Sequence, residues 1–220
     1  MPLLDALVLE PPQAASHCVI WLHGLGADGH DFADVVPHLN LPAQHGVRFV
    51  FPHAPEIPVT ANGGYIMRAW YDILELSVER RINREHLSDA VQNVWEWIEH
   101  QKAEGIASSN IVLAGFSQGG AVAYQAALNY AEPLAGLLAL STYIADYEAL
   151  THHPANAQLP ILVQHGDFDP VVLQAQGQKA FKHIQTHGYP ANWQSYHTEH
   201  HLCAEQIDDI SQWLHERLAI

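Results

Sequence analysis

The sequence predicts an α/β fold with a mostly parallel central sheet and helices on both faces. Short, nearly all-apolar runs alternate with amphipathic runs along the chain, and strands buried on both faces are typical of parallel sheets. No linker, repeat or low-complexity tract divides the 220 residues, so we expect one domain over residues 1–220. The apolar fraction of 48% is ordinary for a packed domain and argues against a disordered chain.

Six apolar runs have the length and composition of buried strands. They are Cys18–Leu22, Val47–Phe51, Ile111–Phe116, Gly136–Leu140, Ile161–Gln164 and Asn192–Tyr196.

Helices are predicted between these strands. Two apolar stripes recur at helical spacing, and two further runs are bounded by a proline or a glycine. The stripes are Leu87, Val91, Val94, Ile98 and Ile207, Ile210, Leu214, Leu218, and the bounded runs are Ala121–Tyr130 and Gly177–His187. The stretch Pro52–Ile82 has little periodicity and many turn signals, so we expect a long functional loop there.

Charge and cysteine content exclude several classes of protein. The formal charge is −15, which repels phosphate backbones and anionic lipids, so we expect no nucleic-acid partner. The N-terminus has no secretory pattern, and no apolar run is long enough to span a bilayer, so we expect no stable membrane anchor. Two lone cysteines, Cys18 and Cys203, favour a reducing compartment, and we expect the cytoplasm.

The 17 histidines do not form a metal-binding tract in the sequence. They are scattered singly or in pairs rather than at one ligand spacing. We therefore expect them to be solvated or hydrogen-bonded, and we expect no metal site.

Ser117 is the strongest candidate for a catalytic residue. It lies in the segment 115–120, Gly-Phe-Ser-Gln-Gly-Gly, which follows an apolar strand and opens an Ala-rich helix. A sharp strand-to-helix turn of this kind exposes a nucleophile and needs very small residues two positions to either side, as Gly115 and Gly119 are. The alternative is a glycine-rich turn with an incidental serine, but the flanking elements favour a nucleophile.

A catalytic serine needs a general base and an acid that orients the base. In this architecture the acid follows a later strand and the base follows the last one. Asp167 and Asp169 compete for the acid, since either follows a predicted strand. His200 is favoured as the base, because it stands clear of the last strand; His201 is the next candidate and His197 the third.

An oxyanion hole requires two donors aimed at the developing negative charge. One is the backbone N–H of Gln118, which follows the nucleophile. The other comes from the loop after an early strand, and we choose Leu25, because Gly24 and Gly26 allow the backbone to curl towards the serine.

Several motifs together resemble one known family. They are residues 22–32 (LHGLGADGHDF), 52–55 (PHAP), 58–60 (PVT), 62–64 (NGG), 69–72 (AWYD), 115–121 (GFSQGGA) and 165–172 (HGDFDPVV). The sequence thereby resembles the carboxylesterase, acyl-protein thioesterase and lysophospholipase family of the α/β-hydrolase superfamily. The resemblance implies a Ser117–Asp169–His200 triad, oxyanion donors at Leu25 and Gln118, and no cofactor. Several family members form homodimers, so a homodimer is a possible partner state.

The sequence departs from the family pattern at two positions near the predicted site. Glu199 stands before the predicted base, where the family usually has glycine. Leu173 follows the paired valines, where the family often has proline.

The expected function is a serine hydrolase that forms an acyl-enzyme and cleaves carboxylic esters of short to medium acyl chains. Thioesters, lipidated proteins and lysophospholipids are the second choice of substrate. We expect Trp70, Leu74 and Tyr143 to bind substrate, with Ile73 and Leu76 as further walls, although Trp70 is equally suited to the core. The alternatives are a non-catalytic binding module on a hydrolase fold and a metallohydrolase built from the many histidines.

Overall fold

The computed structural model describes residues 3–75 and 80–220, which form eleven strands and four α-helices. The strands are β1 (Ala6–Leu9), β2 (His17–Leu22), β3 (Val47–Pro52), β4 (Glu56–Val59), β5 (Tyr65–Arg68), β6 (Ile73–Glu75), β7 (Arg81–Ile82), β8 (Ile111–Phe116), β9 (Gly136–Leu140), β10 (Ile161–Gly166) and β11 (Ala191–Tyr196). The helices are α1 (Arg84–Ala103), α2 (Gln118–Asn129), α3 (Gln174–Thr186) and α4 (Ala204–Leu218).

A seven-stranded sheet in the order β1-β3-β2-β8-β9-β10-β11 forms the centre of the protein. β1 is antiparallel to β3, and the other neighbours are parallel. The predicted mostly parallel sheet is therefore confirmed. The sequence analysis missed β1, because a short edge strand with four half-buried residues has neither the continuous apolar run of a central strand nor a clear alternation.

The sheet is covered on both faces, as predicted. The helices α1, α2 and α3 pack on one face, and α4 packs on the other with a 3₁₀ helix, Ala33–His38. Every residue of β8, β9 and β10 is buried, which explains why these strands read as unbroken apolar runs. No helix of the described residues is both long enough and apolar enough to cross a membrane.

The stretch predicted as a long loop contains two small hairpins. One pairs β4 with β5 and the other pairs β6 with β7. Gly63 and Gly64 adopt positive φ angles in the first turn, which glycine permits at little steric cost. Leu76, which we expected to wall the acyl pocket, lies outside the described residues.

Candidate active site

The predicted site residues gather at one edge of the sheet. Leu25 follows β2, Ser117 follows β8, Asp169 follows β10 and His200 follows β11. These strands are parallel, so their carboxyl ends meet at the same edge, where ligands bind in open α/β sheets.

The turn at Ser117 is strained and depends on its glycines. Ser117 has φ 52° and ψ −119°, a left-handed backbone that is unusual for a residue with a side chain. A Cβ on Gly115 would lie 2.5 Å from the carbonyl oxygen of Gly119. A Cβ on Gly119 would in turn collide with the His23 carbonyl oxygen, so only glycine lets the new helix start this close to the loop after β2.

Two hydrogen bonds fix the backbone of Ser117. Its N–H donates to the carbonyl of Leu140 at 2.9 Å. Its own carbonyl accepts from the Thr142 hydroxyl at 2.6 Å. Both partners belong to β9 and the segment after it, so the neighbouring strand holds the strained residue in place.

Asp169 is buried and fully occupied by hydrogen bonds. One carboxylate oxygen accepts from the N–H groups of Val171 and Val172 at 2.9 and 2.8 Å, and the other lies 2.6 Å from Nδ1 of His200. Burial alone would raise the pKa of Asp169, but the hydrogen bonds from His200 and the two amides outweigh it and lower the pKa. Asp169 therefore stays ionised at neutral pH.

The contact with Asp169 sets the tautomer of His200. An ionised carboxylate can only accept, so Nδ1 carries the hydrogen and Nε2 keeps its lone pair. The ring of His200 also packs on Phe116 with centroids 4.6 Å apart. Since Phe116 directly precedes Ser117, this contact brings the imidazole to the serine turn.

The competing candidates have other partners. Asp167 is exposed and accepts a hydrogen bond from the Gln174 side chain at 2.8 Å. His201 is exposed and bonds the Thr198 hydroxyl at 2.6 Å, and His197 lies edge-on to the Phe168 ring. The structure thus brings Asp169 and His200 together, and not their neighbours.

The backbone of the β2 loop faces the serine turn. A Cβ on Gly24 would lie 3.6 Å from Cβ of Ser117. In this loop Gly26 donates to Arg68 and Ala27 donates to Gly24, and the Leu25 N–H takes part in neither bond. Gln118 is the first residue of α2, so its N–H lies ahead of the helical hydrogen bonds. The Leu25 amide is therefore not used by these loop bonds, and the Gln118 amide stands at the start of α2 beside the same loop.

A buried brace joins the β2 loop to the serine turn. The side-chain amide of Gln118 accepts from the Trp70 N–H at 2.9 Å and donates to the Tyr71 carbonyl at 2.8 Å. The Trp70 indole N–H donates to the His23 carbonyl at 2.8 Å, and the residue is only 2% exposed. Trp70, predicted to bind substrate, is thus buried and holds the loop after β2. Ile73 is equally buried.

The other two residues predicted to bind substrate differ in exposure. Leu74 is 39% exposed in the β6–β7 hairpin. Tyr143 is buried, its hydroxyl lies 2.7 Å from that of Tyr71, and the Arg80 guanidinium stacks 4.7 Å from its ring centroid. Leu74 is free to meet a substrate, whereas Tyr143 is engaged in holding the segment after β9.

The structure also accounts for the two departures from the family pattern. The side chain of Glu199 is exposed, and Glu199 is not among the described residues with positive φ, so no glycine is required there. The N–H of Leu173 donates to the Gln176 side-chain oxygen at 3.0 Å, a bond that proline could not donate.

Sequence reasoning missed two buried histidines that position the site. The Nε2–H of His165 donates to the Val172 carbonyl at 2.7 Å, and the same nitrogen lies 3.5 Å from the Asp169 carboxylate. His23 donates from Nδ1 to the Gly24 carbonyl at 2.7 Å and accepts at Nε2 from the Ala54 N–H at 3.0 Å. The signal in the sequence is their position at the end of a predicted strand: His23 directly follows the apolar run Cys18–Leu22, and His165 directly follows Ile161–Gln164.

The two groups of described side chains close enough to share a metal ion are His152, His183, His187 and Asp28, His30, His53. Neither group contains Ser117, Asp169 or His200.

The fold is that of the α/β-hydrolases, and the strained serine turn at the sheet edge places the chain among the hydrolases of that class. The model of the phospholipase/carboxylesterase family matches residues 4–218. The chain belongs to this family, which confirms the resemblance seen in the sequence.

Individual relatives agree with this assignment. The chain is 34% identical to acyl-protein thioesterase 1 of Neurospora crassa, over 94% of this chain and 90% of the relative. Its structure is similar to that of Arabidopsis thaliana SOBER1, with a TM-score of 0.86, 30% identity and coverage of 92% and 99% of the two chains. It is also similar to Zea mays acyl-protein thioesterase 2, with a TM-score of 0.85, 26% identity and coverage of 98% and 99%.

The buried ring of His23 predicts an acid-sensitive stability. Burial lowers the pKa of His23 to about 4, despite the Gly24 carbonyl, which raises it. In the unfolded chain a histidine titrates near pH ~6.5. Between these values the unfolded chain binds more protons, so stability is complete above pH ~6.5 and falls as the pH drops towards 4, by on the order of 3 kcal/mol for this residue.

Urea unfolding of the wild type and His23→Gln between pH 7.5 and 4.5 measures this loss. The variant is expected to be less stable at pH 7.5 but to have a shallower dependence on pH, because its amide does not titrate. His38→Gln, at an exposed position, is the matched control and should keep the wild-type slope. Equal slopes for the wild type and His23→Gln would contradict the assignment.

Proposed function

We propose that this protein is a serine hydrolase that cleaves carboxylic esters and thioesters through an acyl-enzyme on Ser117. Asp169 and His200 complete the catalytic triad. The observation that carries the proposal is the 2.6 Å contact between Asp169 and Nδ1 of His200, with the same imidazole packed on Phe116 beside the serine.

Acylation follows from the tautomer of His200. Its Nε2 lone pair takes the proton of Ser117 as the hydroxyl oxygen attacks the acyl carbon. The Leu25 and Gln118 amides stabilise the oxyanion that forms. The ionised Asp169 stabilises the resulting imidazolium, which then gives its proton to the leaving alcohol or thiol.

Deacylation uses the same groups. Water attacks the acyl carbon while Nε2 of His200 takes its proton, and the oxyanion again rests on the two amides. Collapse of the intermediate returns the proton to Ser117 and frees the carboxylic acid. No step needs a metal or a cofactor.

Variants of the three residues, each paired with a neighbour, test the triad. Ser117→Ala is expected to lower kcat by about 10⁶, the cost of losing a serine nucleophile. Asp169→Asn is expected to lower kcat by about 10⁴, because an amide that donates to Nδ1 forces the wrong tautomer on His200. His200→Gln removes the base and is expected to lower kcat about as much as Ser117→Ala does. Hydrolysis of p-nitrophenyl butyrate is the measurement.

The matched controls are Ser88→Ala, Asp167→Asn and His201→Gln, at exposed positions. They should keep nearly the parental rate. If His201→Gln lost as much activity as His200→Gln, or if Ser117→Ala kept the parental rate, the triad would be wrong. Labelling by a fluorophosphonate excludes the non-catalytic binding module if only the wild-type Ser117 reacts. Activity that survives chelation excludes the metallohydrolase.

Apolar side chains around the catalytic acid favour an acyl substrate. Phe168, Val171 and Leu173 are 55%, 52% and 47% exposed, although all are apolar. They lie within four residues of Asp169 in the chain, so the loop that carries the proposed catalytic acid also carries exposed apolar surface. Exposed apolar residues grouped around a catalytic residue favour contact with an apolar ligand. The names of the thioesterase relatives agree with substrates that carry an acyl chain.

We therefore expect kcat/KM to rise with acyl length from acetyl to octanoyl esters. Each methylene that these side chains bury is worth up to about 0.8 kcal/mol. Val171→Ser should flatten this dependence while leaving acetate-ester hydrolysis nearly unchanged, and Gln185→Ser, exposed at the far end of α3, is the control. Equal chain-length profiles for the wild type and Val171→Ser would show that Val171 does not contact the acyl chain. The same acyl series measured with thioesters shows which bond, ester or thioester, the protein cleaves with the higher kcat/KM.

The compartment is a further part of the proposal. Cys18 is buried and Cys203 half-buried, and both are free thiols. Free thiols are typical of a reducing compartment, so we place the protein in the cytoplasm.

A further inference from the structure

Three histidines meet far from the catalytic residues. His183 and His187 are four residues apart near the end of α3 and therefore share one side of the helix. His152 reaches them from the segment between β9 and β10. Its ring stacks on His187 with centroids 4.0 Å apart and lies 5.2 Å from the ring of His183. One nitrogen from each ring lies within 4.8 Å of the other two.

The outer nitrogens of two rings have oxygen partners that leave the inner nitrogens free to bind. Nδ1 of His187 donates to the His183 carbonyl at 2.8 Å, so its Nε2 keeps the lone pair. Nδ1 of His152 lies 3.1 Å from the Tyr189 hydroxyl, which can accept its hydrogen. Histidines that bind metals almost always donate their second ring N–H to an oxygen in this way.

Two of the inner nitrogens already have nearly the spacing that one ion requires. Nε2 of His152 and Nε2 of His183 are 3.1 Å apart. With Zn–N bonds of about 2.0–2.1 Å, two ligands of a tetrahedral zinc are about 3.3 Å apart. When the ion binds, the hydrogen between these two nitrogens moves to Nδ1 of His183, and both rings bind as neutral ligands. The ring of His187 is stacked nearly parallel on His152, at 9°, so it must turn about its side-chain torsions for its lone pair to reach the same ion.

The backbone at His152 is strained. Its φ is 49°, a left-handed conformation that costs about 1 kcal/mol or more for a residue with a side chain. The next residue is anchored, because the N–H of His153 donates to the Leu128 carbonyl at 2.8 Å. Strain of this kind persists where the surroundings impose it and is concentrated at functional sites.

We propose that His152, His183 and His187 form a binding site for Zn²⁺, with water as the fourth ligand. Three imidazoles favour zinc over magnesium or calcium, which prefer oxygen ligands. The ion would clip the β9–β10 segment to the end of α3. Gln174, the first residue of α3, is the end of the helix nearest to Asp169 in the chain. Since an α-helix rises about 1.5 Å per residue, His183 lies about 13 Å further along the helix. The site is therefore structural and takes no part in ester hydrolysis.

The second group of possible ligands is less suited to a metal. Oδ1 of Asp28 already accepts from the backbone and the ring of His30, at 2.8 and 3.0 Å. Nδ1 of His53 accepts from the Gly29 N–H at 3.0 Å. This group serves as an internal control.

Zinc binding by the full chain tests the proposal. After chelator treatment and desalting, titration calorimetry with ZnCl₂ at pH 7.5 is expected to show one site per chain. His183→Gln and His187→Gln should each weaken that site by at least about tenfold, since even the loss of a partner in the outer shell costs 10- to 100-fold. His100→Gln, at the end of α1, and His53→Gln should bind as the wild type does.

Two further measurements separate loss of the site from loss of the fold. Co²⁺ should give the visible absorption of a tetrahedral site in the wild type and in His100→Gln, but not in His187→Gln. Zn²⁺ should raise the Tm of the wild type but not of His187→Gln, whose circular dichroism and esterase rate should match those of the wild type. The proposal is overturned if the triple variant His152→Gln, His183→Gln, His187→Gln binds one Zn²⁺ as tightly as the wild type, or if the tight site is lost in His53→Gln instead.

Discussion

The close approach of two backbones at Gly119 is the constraint on which the rest of the site depends. The first turn of α2 lies so near the end of β2 that any side chain at Gly119 would enter the space of the Leu22 and His23 carbonyls. This approach forces Ser117 into its left-handed conformation, because the chain must reverse between β8 and α2 without room to spare. It also brings the loop after β2 beside the serine, which is where an oxyanion donor has to be. One steric contact therefore brings the proposed nucleophile beside the proposed oxyanion donor.

Loops at a sheet edge cannot use the ladder of hydrogen bonds that orders the strands, so side chains must replace it. The Gln118 side chain bonds the backbone at residues 70–71, and the Trp70 indole bonds the His23 carbonyl. The His23 ring in turn accepts from the Ala54 N–H. Each of these groups is buried and satisfied on the side that faces the site. Their common effect is to make the loop after β2 and the start of α2 one rigid unit. Catalysis by oriented dipoles depends on such rigidity, because donors that had to reorganise during the reaction would stabilise the oxyanion less.

The sequence predicted the central strands and the serine turn because both have strong local signatures. Apolar runs identify strands buried on both faces, and the turn needs glycine at fixed offsets from Ser117. The choice between Asp167 and Asp169 had no such signature. The choice depends on which aspartate of the loop after β10 points into the protein. Only the folded structure shows that Asp169 is the buried one and that it accepts from the Val172 N–H. The hairpins at residues 56–82 were missed because they are too short for a clear period. The histidine group was missed because His152 and His183 are 31 residues apart in the chain.

The loop after β10 joins two tasks that the sequence analysis treated separately. Asp169 is buried and contacts His200, the proposed base, while Phe168 and Val171 on either side of it are exposed and present apolar surface. Hydrogen bonds on the buried side of the loop hold it in place. His165 donates to the Val172 carbonyl, and the Val171 and Val172 amides donate to the Asp169 carboxylate. On the proposed function, a substrate chain that packs on Phe168 or Val171 would contact the same loop that holds Asp169. Acyl binding and the orientation of the imidazole would then depend on one short segment, so chain length would act on kcat as well as on KM.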